Sequence, residues 1–275
     1  MYLNHFKLLE KPFEYLIPNP RYFWYTPQGK GIKDQCDYII REKSGHLYIS
    51  GPIGAGKTSL LKTLTQSLIT DTHNSINFIN APNLKTSNAL LRRVVEGFGV
   101  KPGRSYDATL EHFTTWLKTT DRFPILIIDE GQYLVLDSLK TIHYFMTYVT
   151  DRLLLMVILC GQEEMVERIN RFRAIRSRMF PAFLSALSRS EAQKMMEYRW
   201  QIASTNDPSP LPFTAKALDA LFNYSKGVPR AICQVADVAL LAAYNQHKQV
   251  VDEAQVRMVI NTLLPTQETK KEEEK

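Results

Sequence analysis

The sequence predicts an α/β fold: a parallel sheet flanked by helices, followed by a small helical domain. Three observations carry this. Residues 125–128 and 153–160 are apolar at nearly every position, the pattern of strands buried on both faces, as in parallel sheets. Before about residue 188, strand patterns alternate with helical ones, as βαβ units do. Beyond that point only helical patterns remain.

The elements follow in order. Residues 1–46 are rich in aromatics and proline, including Pro12-Phe13 and Tyr22-Phe23-Trp24-Tyr25. They read as an irregular arm ending in a helix over 30–43. Residues 46–50 form a short strand between Gly45 and Gly51. Residues 57–69 are a helix, with Leu60, Leu61, Leu64 and Leu68 on one face. A second strand covers 75–80. Helices over 87–98 and 108–119 follow, the first ended by Gly99 and the turn Lys101-Pro102-Gly103. The third strand is 124–129, then a helix over 136–149 and a strand over 153–160. Helices over 190–204, 214–224, 229–244 and 252–263 complete the chain, with a proline-rich loop at 205–212. The tail 265–275, ending KKEEEK, is expected to be disordered.

Of the 275 residues, 44% are hydrophobic, enough for a substantial core. No run reaches the roughly 18 apolar residues of a membrane helix, and the N-terminus lacks a signal-peptide block. A cytoplasmic location and no membrane partner are expected. Cys36, Cys160 and Cys233 are far apart and form no CxxC pair, so neither a disulfide framework nor a zinc site is expected. The net charge of +6 favours polyanionic partners and says nothing about fold.

Gly51-Pro52-Ile53-Gly54-Ala55-Gly56-Lys57-Thr58 fits G-x-x-x-x-G-K-[ST]. Such a loop turns backbone N–H groups toward phosphate oxygens. Lys57 is placed for the β- and γ-phosphates, the Thr58 hydroxyl for Mg²⁺, and Ser59 continues the first helical turn. ATP and Mg²⁺ are the expected cofactors. Asp129 and Glu130 end a buried strand. Asp129 is expected to hold Mg²⁺ through its water shell, and Glu130 to orient and polarise the attacking water. Gln162, just past the next strand, reads either as a contact to the γ-phosphate or the water, or as a plain loop residue. Arg168, Arg171, Arg173, Arg176 and Arg178 read as a solvated helix face or as the source of an arginine finger acting in a neighbouring subunit. Arg230, opening a helix after Gly227-Val228-Pro229, reads as a γ-phosphate contact or a surface arginine.

These residues together resemble the AAA+ superfamily, and within it the ExeA-like group, related to the regulatory ATPases of DNA transposition of the MuB, TnsC and TniB kind. The similarity spans about 2–264. It rests on Phe6–Phe13 (FKLLEKPF), Pro18–Arg21 (PNPR), GPIGAGKT, IIDEGQ, ILCGQEEM, FRAIRSRM and GVPRAICQVADVALLAAY. The resemblance implies an AAA+ α/β nucleotide-binding domain with an N-terminal arm over 1–187, a helical lid over 188–264 and a charged tail over 265–275. It implies a first-sensor role for Gln162, where relatives more often carry Asn, Ser or Thr. It implies a finger at Arg176 or Arg178, a second sensor at Arg230, and an adenine near Phe13 and Tyr25, which also fit core packing.

The resemblance offers two functions. One is an ATP-dependent regulator of transposition that oligomerises on duplex DNA as a ring or filament and recruits a transposase and a target-selection protein. The other is an ExeA-like ATPase of a secretion-associated complex. Length, charge and the end of the chain in a charged tail are expected to favour the first. Related filament-formers place their DNA surface after the second strand, which here offers Lys85, Thr86, Arg92, Arg93, Lys101 and Arg104, with weak sequence preference expected. The alternative for these residues is a solvated helix and turn. A small-molecule kinase is a remote third reading, since no acceptor-binding motif is visible.

Overall fold

In the computed structural model, which describes residues 2–84, 86–147, 153–205 and 210–263, one parallel sheet organises the α/β part of the chain. Among the described residues its five strands are β1 (His46–Ser50), β2 (Asn74–Asn80), β3 (Phe123–Asp129), β4 (Met156–Gly161) and β5 (Met179–Phe183). They lie in the order β2-β3-β4-β1-β5, and every neighbouring pair is parallel. The helices are α1 (Tyr2–His5), α2 (Pro27–Glu42), α3 (Lys57–Ile69), α4 (Ser87–Gly97), α5 (Tyr106–Thr119), α6 (Leu136–Thr147), α7 (Glu163–Arg171), α8 (Arg173–Arg176), α9 (Arg189–Ala203), α10 (Ala215–Ser225), α11 (Pro229–Asn245) and α12 (Glu253–Leu263). Residues 85, 148–149, 206–209 and 265–275, which the sequence assigned to the basic surface, the end of a helix, the proline-rich loop and the tail, lie outside the described residues.

The sheet obeys its sequence pattern. β3 and β4 are buried at every position, as unbroken apolar runs require. β4 starts at Met156, later than the apolar run begins, because Leu154 and Leu155 enter the core outside the ladder. β5 was not visible in the sequence. Pro181 sits in it, and a proline argues against a strand unless the strand lies at an edge. β5 is that edge, paired only to β1. Helix starts follow local capping. Thr26 accepts a hydrogen bond from Gly29 N at 2.8 Å with Pro27 in the first turn, which moves the start of α2 ahead of Lys30. Ser188 and Glu191 form a capping box that starts α9.

The chain divides into two compact units, residues 25–185 and residues 1–24 with 186–275. The arm that the sequence reading grouped with the α/β domain therefore packs with the C-terminal helices. Its Tyr2, Phe6, Leu8, Phe13 and Tyr22 share a core with Trp200, Phe213 and Ala236. Arg199 secures it: its guanidinium donates to the carbonyls of Pro12 at 2.8 Å and Glu14 at 2.7 Å and lies over the Tyr22 ring. A planar, forked cation suits several acceptors and a ring at once.

His46 opens β1 and is only 1% exposed. Its Nδ1 accepts from Val157 N at 3.1 Å, and its ring also bonds the Met146 backbone. Burial, helped by the positive charge of Arg178, pushes its pKa down from 6.5 to about 4. The fold thus favours neutral His46, so its contribution is present above pH 6.5 and is lost as pH falls through about 4. The gap corresponds to about 3 kcal/mol. Urea midpoints at pH 7, 5.5 and 4.5 should fall for the wild type. His46→Asn, which keeps an acceptor but does not titrate, should flatten that decline. An equal decline in both proteins would refute the assignment.

Candidate active site

Register decides what meets what. Ser50 pairs with Gly161 and Asn80 with Asp129, while Ile128 pairs with Leu159. The C-terminal ends of β1, β3 and β4 therefore bring Gly51, Asp129, Glu130 and Gln162 to one edge of the sheet, where open α/β folds bind ligands.

The phosphate loop leaves β1 at Gly51. A Cβ there would sit 2.1 Å from the Leu184 carbonyl oxygen, so only glycine fits. Gly56, with φ 97°, turns the loop into α3, a conformation side chains rarely adopt. Pro52, Ile53, Gly54 and Ala55 form the loop between them; Ile53 is exposed and Ala55 buried. Lys57 is buried, and its ammonium donates to the carbonyls of Gly51 at 2.7 Å and Pro52 at 2.9 Å, which holds it over the loop. Thr58 follows in the first turn of α3 and donates through Oγ1 to Asp129 Oδ2 at 2.7 Å. Ser59 continues that turn. Asp129 is 3% exposed, and its other oxygen accepts from Glu130 N at 2.9 Å.

A hydroxyl and a buried carboxylate converging beside a lysine-bearing loop make an oxygen set that suits Mg²⁺ on a polyphosphate. Beneath it lies Cys160, whose thiol is pushed well up by burial and by the Asp129 carboxylate, and stays protonated. All three cysteines are free and buried. Among the described residues no group of three His, Cys, Asp or Glu side chains is placed to hold a metal.

Glu130 adopts a left-handed backbone, φ 57° and ψ 38°. Its carboxylate accepts a hydrogen bond from the Gln132 amide. Gln132 also accepts from Gln162 N at 3.1 Å. Gln132 lies within IIDEGQ, where the sequence pattern alone assigns it no role. Its signal was a polar residue two positions past the second motif, whose burial only the fold reveals. Gln162 caps the start of α7 by position and stands half-buried.

Other candidates fall elsewhere. Phe13 is fully buried, and its ring packs edge-on against Phe213 in the helical unit. This fits the core-packing reading of Phe13. Tyr25 is half-buried at the start of the α/β unit. Arg230 is exposed in the first turn of α11, in the helical unit. Of the arginine run, Arg168 donates to the Leu134 carbonyl at 2.6 Å and braces the turn after β3. Arg176 and Arg178 are exposed just before β5. Met179 pairs with His46, so these arginines stand at the opposite end of the sheet from the phosphate loop. The span along β1 is roughly 15–20 Å. Both lie far from the phosphate loop of the same chain.

The basic region after β2 is only partly available. Thr86 caps α4, its oxygen accepting from Ala89 N at 3.1 Å. Arg92 donates to the Gly103 carbonyl at 3.3 Å and braces the turn. Arg93, Lys101 and Arg104 are exposed. Lys85 lies outside the described residues.

Comparison with known proteins agrees with this geometry. Residues 40–169 match a family model described as an AAA domain. General secretion pathway protein A of Aeromonas hydrophila is 29% identical over 262 residues, 91% of this chain and 46% of that protein. The chain thus spans about half the length of that curated relative. Among solved structures, Cdc6p from Pyrobaculum aerophilum superimposes with a TM-score of 0.74 at 14% identity, over 96% of this chain and 74% of that one. Drosophila ORC bound to DNA gives 0.75 at 13% identity, over 98% and 68%. Identities this low speak to fold alone. The sheet order, the phosphate loop and these similarities together give the chain the AAA+ fold, with an AAA domain matched over residues 40–169.

Proposed function

We propose that this chain is an ATP-hydrolysing AAA+ ATPase that works as an oligomer. One observation carries the reading: Lys57, the Thr58–Asp129 pair and Glu130 converge at the C-terminal ends of β1 and β3. The loop amides and Lys57 bind and orient the phosphates. Thr58 and Asp129 would hold Mg²⁺, which supplies positive charge to the phosphate oxygens. Glu130 orients the attacking water and takes its proton. Gln162, just past β4 at the same edge, would sense the γ-phosphate.

For the larger role, the 29% identity to General secretion pathway protein A supports a secretion-associated ATPase over the transposition regulator that length and charge favoured. The DNA reading keeps one observation of its own, the exposed Arg93, Lys101 and Arg104 on a chain of net charge +6. In it, the subunits assemble on duplex DNA and recruit a transposase and a target-selection protein. Phosphate release without a phosphorylated small molecule separates either role from a kinase. Fluorescence anisotropy of a random duplex across a salt series, with ATP analogue and with ADP, separates the two roles. On the secretion reading the duplex stays free at every salt. On the DNA reading it binds with the analogue, weakens steeply with salt, and loses affinity in Arg93→Ala/Arg104→Ala for all sequences alike.

A further inference from the structure

We infer that Gln132 is a positioning residue for hydrolysis, fixing the Glu130 carboxylate and tying it to the end of β4. This rests on the role given to Glu130 above. Gln132 lies in the turn Gly131–Tyr133 right after β3. It is 8% exposed, while Tyr133 beside it is 56% exposed. Its Nε2 donates to Glu130 Oε2, and its Oε1 accepts from Gln162 N at 3.1 Å. The two bonds use opposite ends of one amide. A backbone N–H only donates, so the oxygen must face Gln162 and the NH₂ must face Glu130. The orientation is set by chemistry, and a methionine or a glutamate of similar length does not reproduce it.

The surroundings leave this amide little freedom. A Cβ on Gly161 would meet Gln132 Oε1 at 2.7 Å, and one on Gly131 would meet Met165 Sδ at 2.6 Å. The turn is therefore pressed against the end of β4. Glu130 keeps its left-handed backbone inside this packing, and such conformations persist where neighbours over-determine them. The bond to Gln132 takes one carboxylate oxygen and leaves Oε1 to receive the proton of the attacking water. A movement of Gln162 reaches Glu130 through one amide.

The test compares steady-state and single-turnover hydrolysis in the wild type, Gln132→Met, Gln132→Glu, Glu130→Gln and the double variant Glu130→Gln/Gln132→Met, with binding of a fluorescent ATP analogue for each. Gln132→Met should lower kcat on the order of 10- to 100-fold, with KM and analogue affinity close to wild type. Gln132→Glu keeps the acceptor for Gln162 but loses the donor to Glu130, and should be slow as well. It decides the matter if Gln132→Met fails to bind the analogue. In the Glu130→Gln background, Gln132→Met should add no further loss, because the residue it positions is already gone. Wild-type kcat in Gln132→Met, or an equal fold-loss in both backgrounds, overturns the inference. Full activity in Glu130→Gln overturns it by a different route, by removing the role of Glu130 itself.

Discussion

Lys57→Ala is expected to abolish nucleotide binding, whereas Glu130→Gln is expected to bind ATP and fail to turn it over. Lys57 opens α3 and Glu130 follows β3, and the two face different parts of the reaction. Lys57 is buried over the loop, with its ammonium on the Gly51 and Pro52 carbonyls. A charge-assisted bond from that position to a phosphate is roughly twice as strong as a neutral one. Its loss should weaken affinity by roughly 100-fold or more, about 3 kcal/mol. Glu130 follows β3, one residue past Asp129. It is held by its own backbone turn and by Gln132. Losing a general base costs roughly 10²- to 10⁴-fold in rate. Titration of a fluorescent ATP analogue alongside phosphate release distinguishes the two. If Glu130→Gln lost binding as completely as Lys57→Ala, Glu130 would belong to the phosphate cradle and not to the water.

The legible part of this chain was its local chemistry. GPIGAGKT and the apolar run ending in Asp129-Glu130 state their geometry within a few residues, because loop, strand and carboxylate are contiguous. β3 and β4 were legible for the same reason, since burial on both faces writes an unbroken apolar run. The illegible parts depend on distant partners. β5 hid behind Pro181, whose tolerance depends on an edge position that only the sheet order supplies. Phe13 reads in sequence as an adenine contact or as core packing, and its contact with Phe213 is visible only in the fold because that partner is remote in sequence. The arm joined the helical unit through Arg199, which meets Pro12 and Glu14 from far along the chain. Gln132 gained its meaning only from Gln162, 30 positions on. Thr86 caps α4, as the capping signal Thr-Ser-Asn-Ala allows.

The rate per subunit is expected to rise with protein concentration and then level off, with Arg176→Ala or Arg178→Ala lowering the plateau. The argument is geometric. Arg178 precedes β5, which is parallel to β1 and level with it from His46 onward. The phosphate loop begins where β1 ends, after Ser50. Both arginines therefore sit at the far end of the sheet from their own loop, roughly 15–20 Å along the strand direction. Both are exposed, and Arg178 donates to the Ala174 carbonyl and the Ser177 hydroxyl in its own turn, which a stronger acceptor easily replaces. If either serves catalysis, it serves the loop of a neighbouring subunit, as an arginine finger does. Such a finger is worth roughly 10³–10⁵ in turnover where it has been removed from related phosphoryl-transfer sites. Arg168 is the internal control, since it braces the Leu134 carbonyl within its own subunit. Its replacement should lower stability without changing the concentration dependence. Light scattering and phosphate release measured on the same samples, from dilute monomer upward, test this. A rate per subunit that stays flat while the scattering mass grows would mean that each subunit is complete alone, and that Arg176 and Arg178 are a solvated surface.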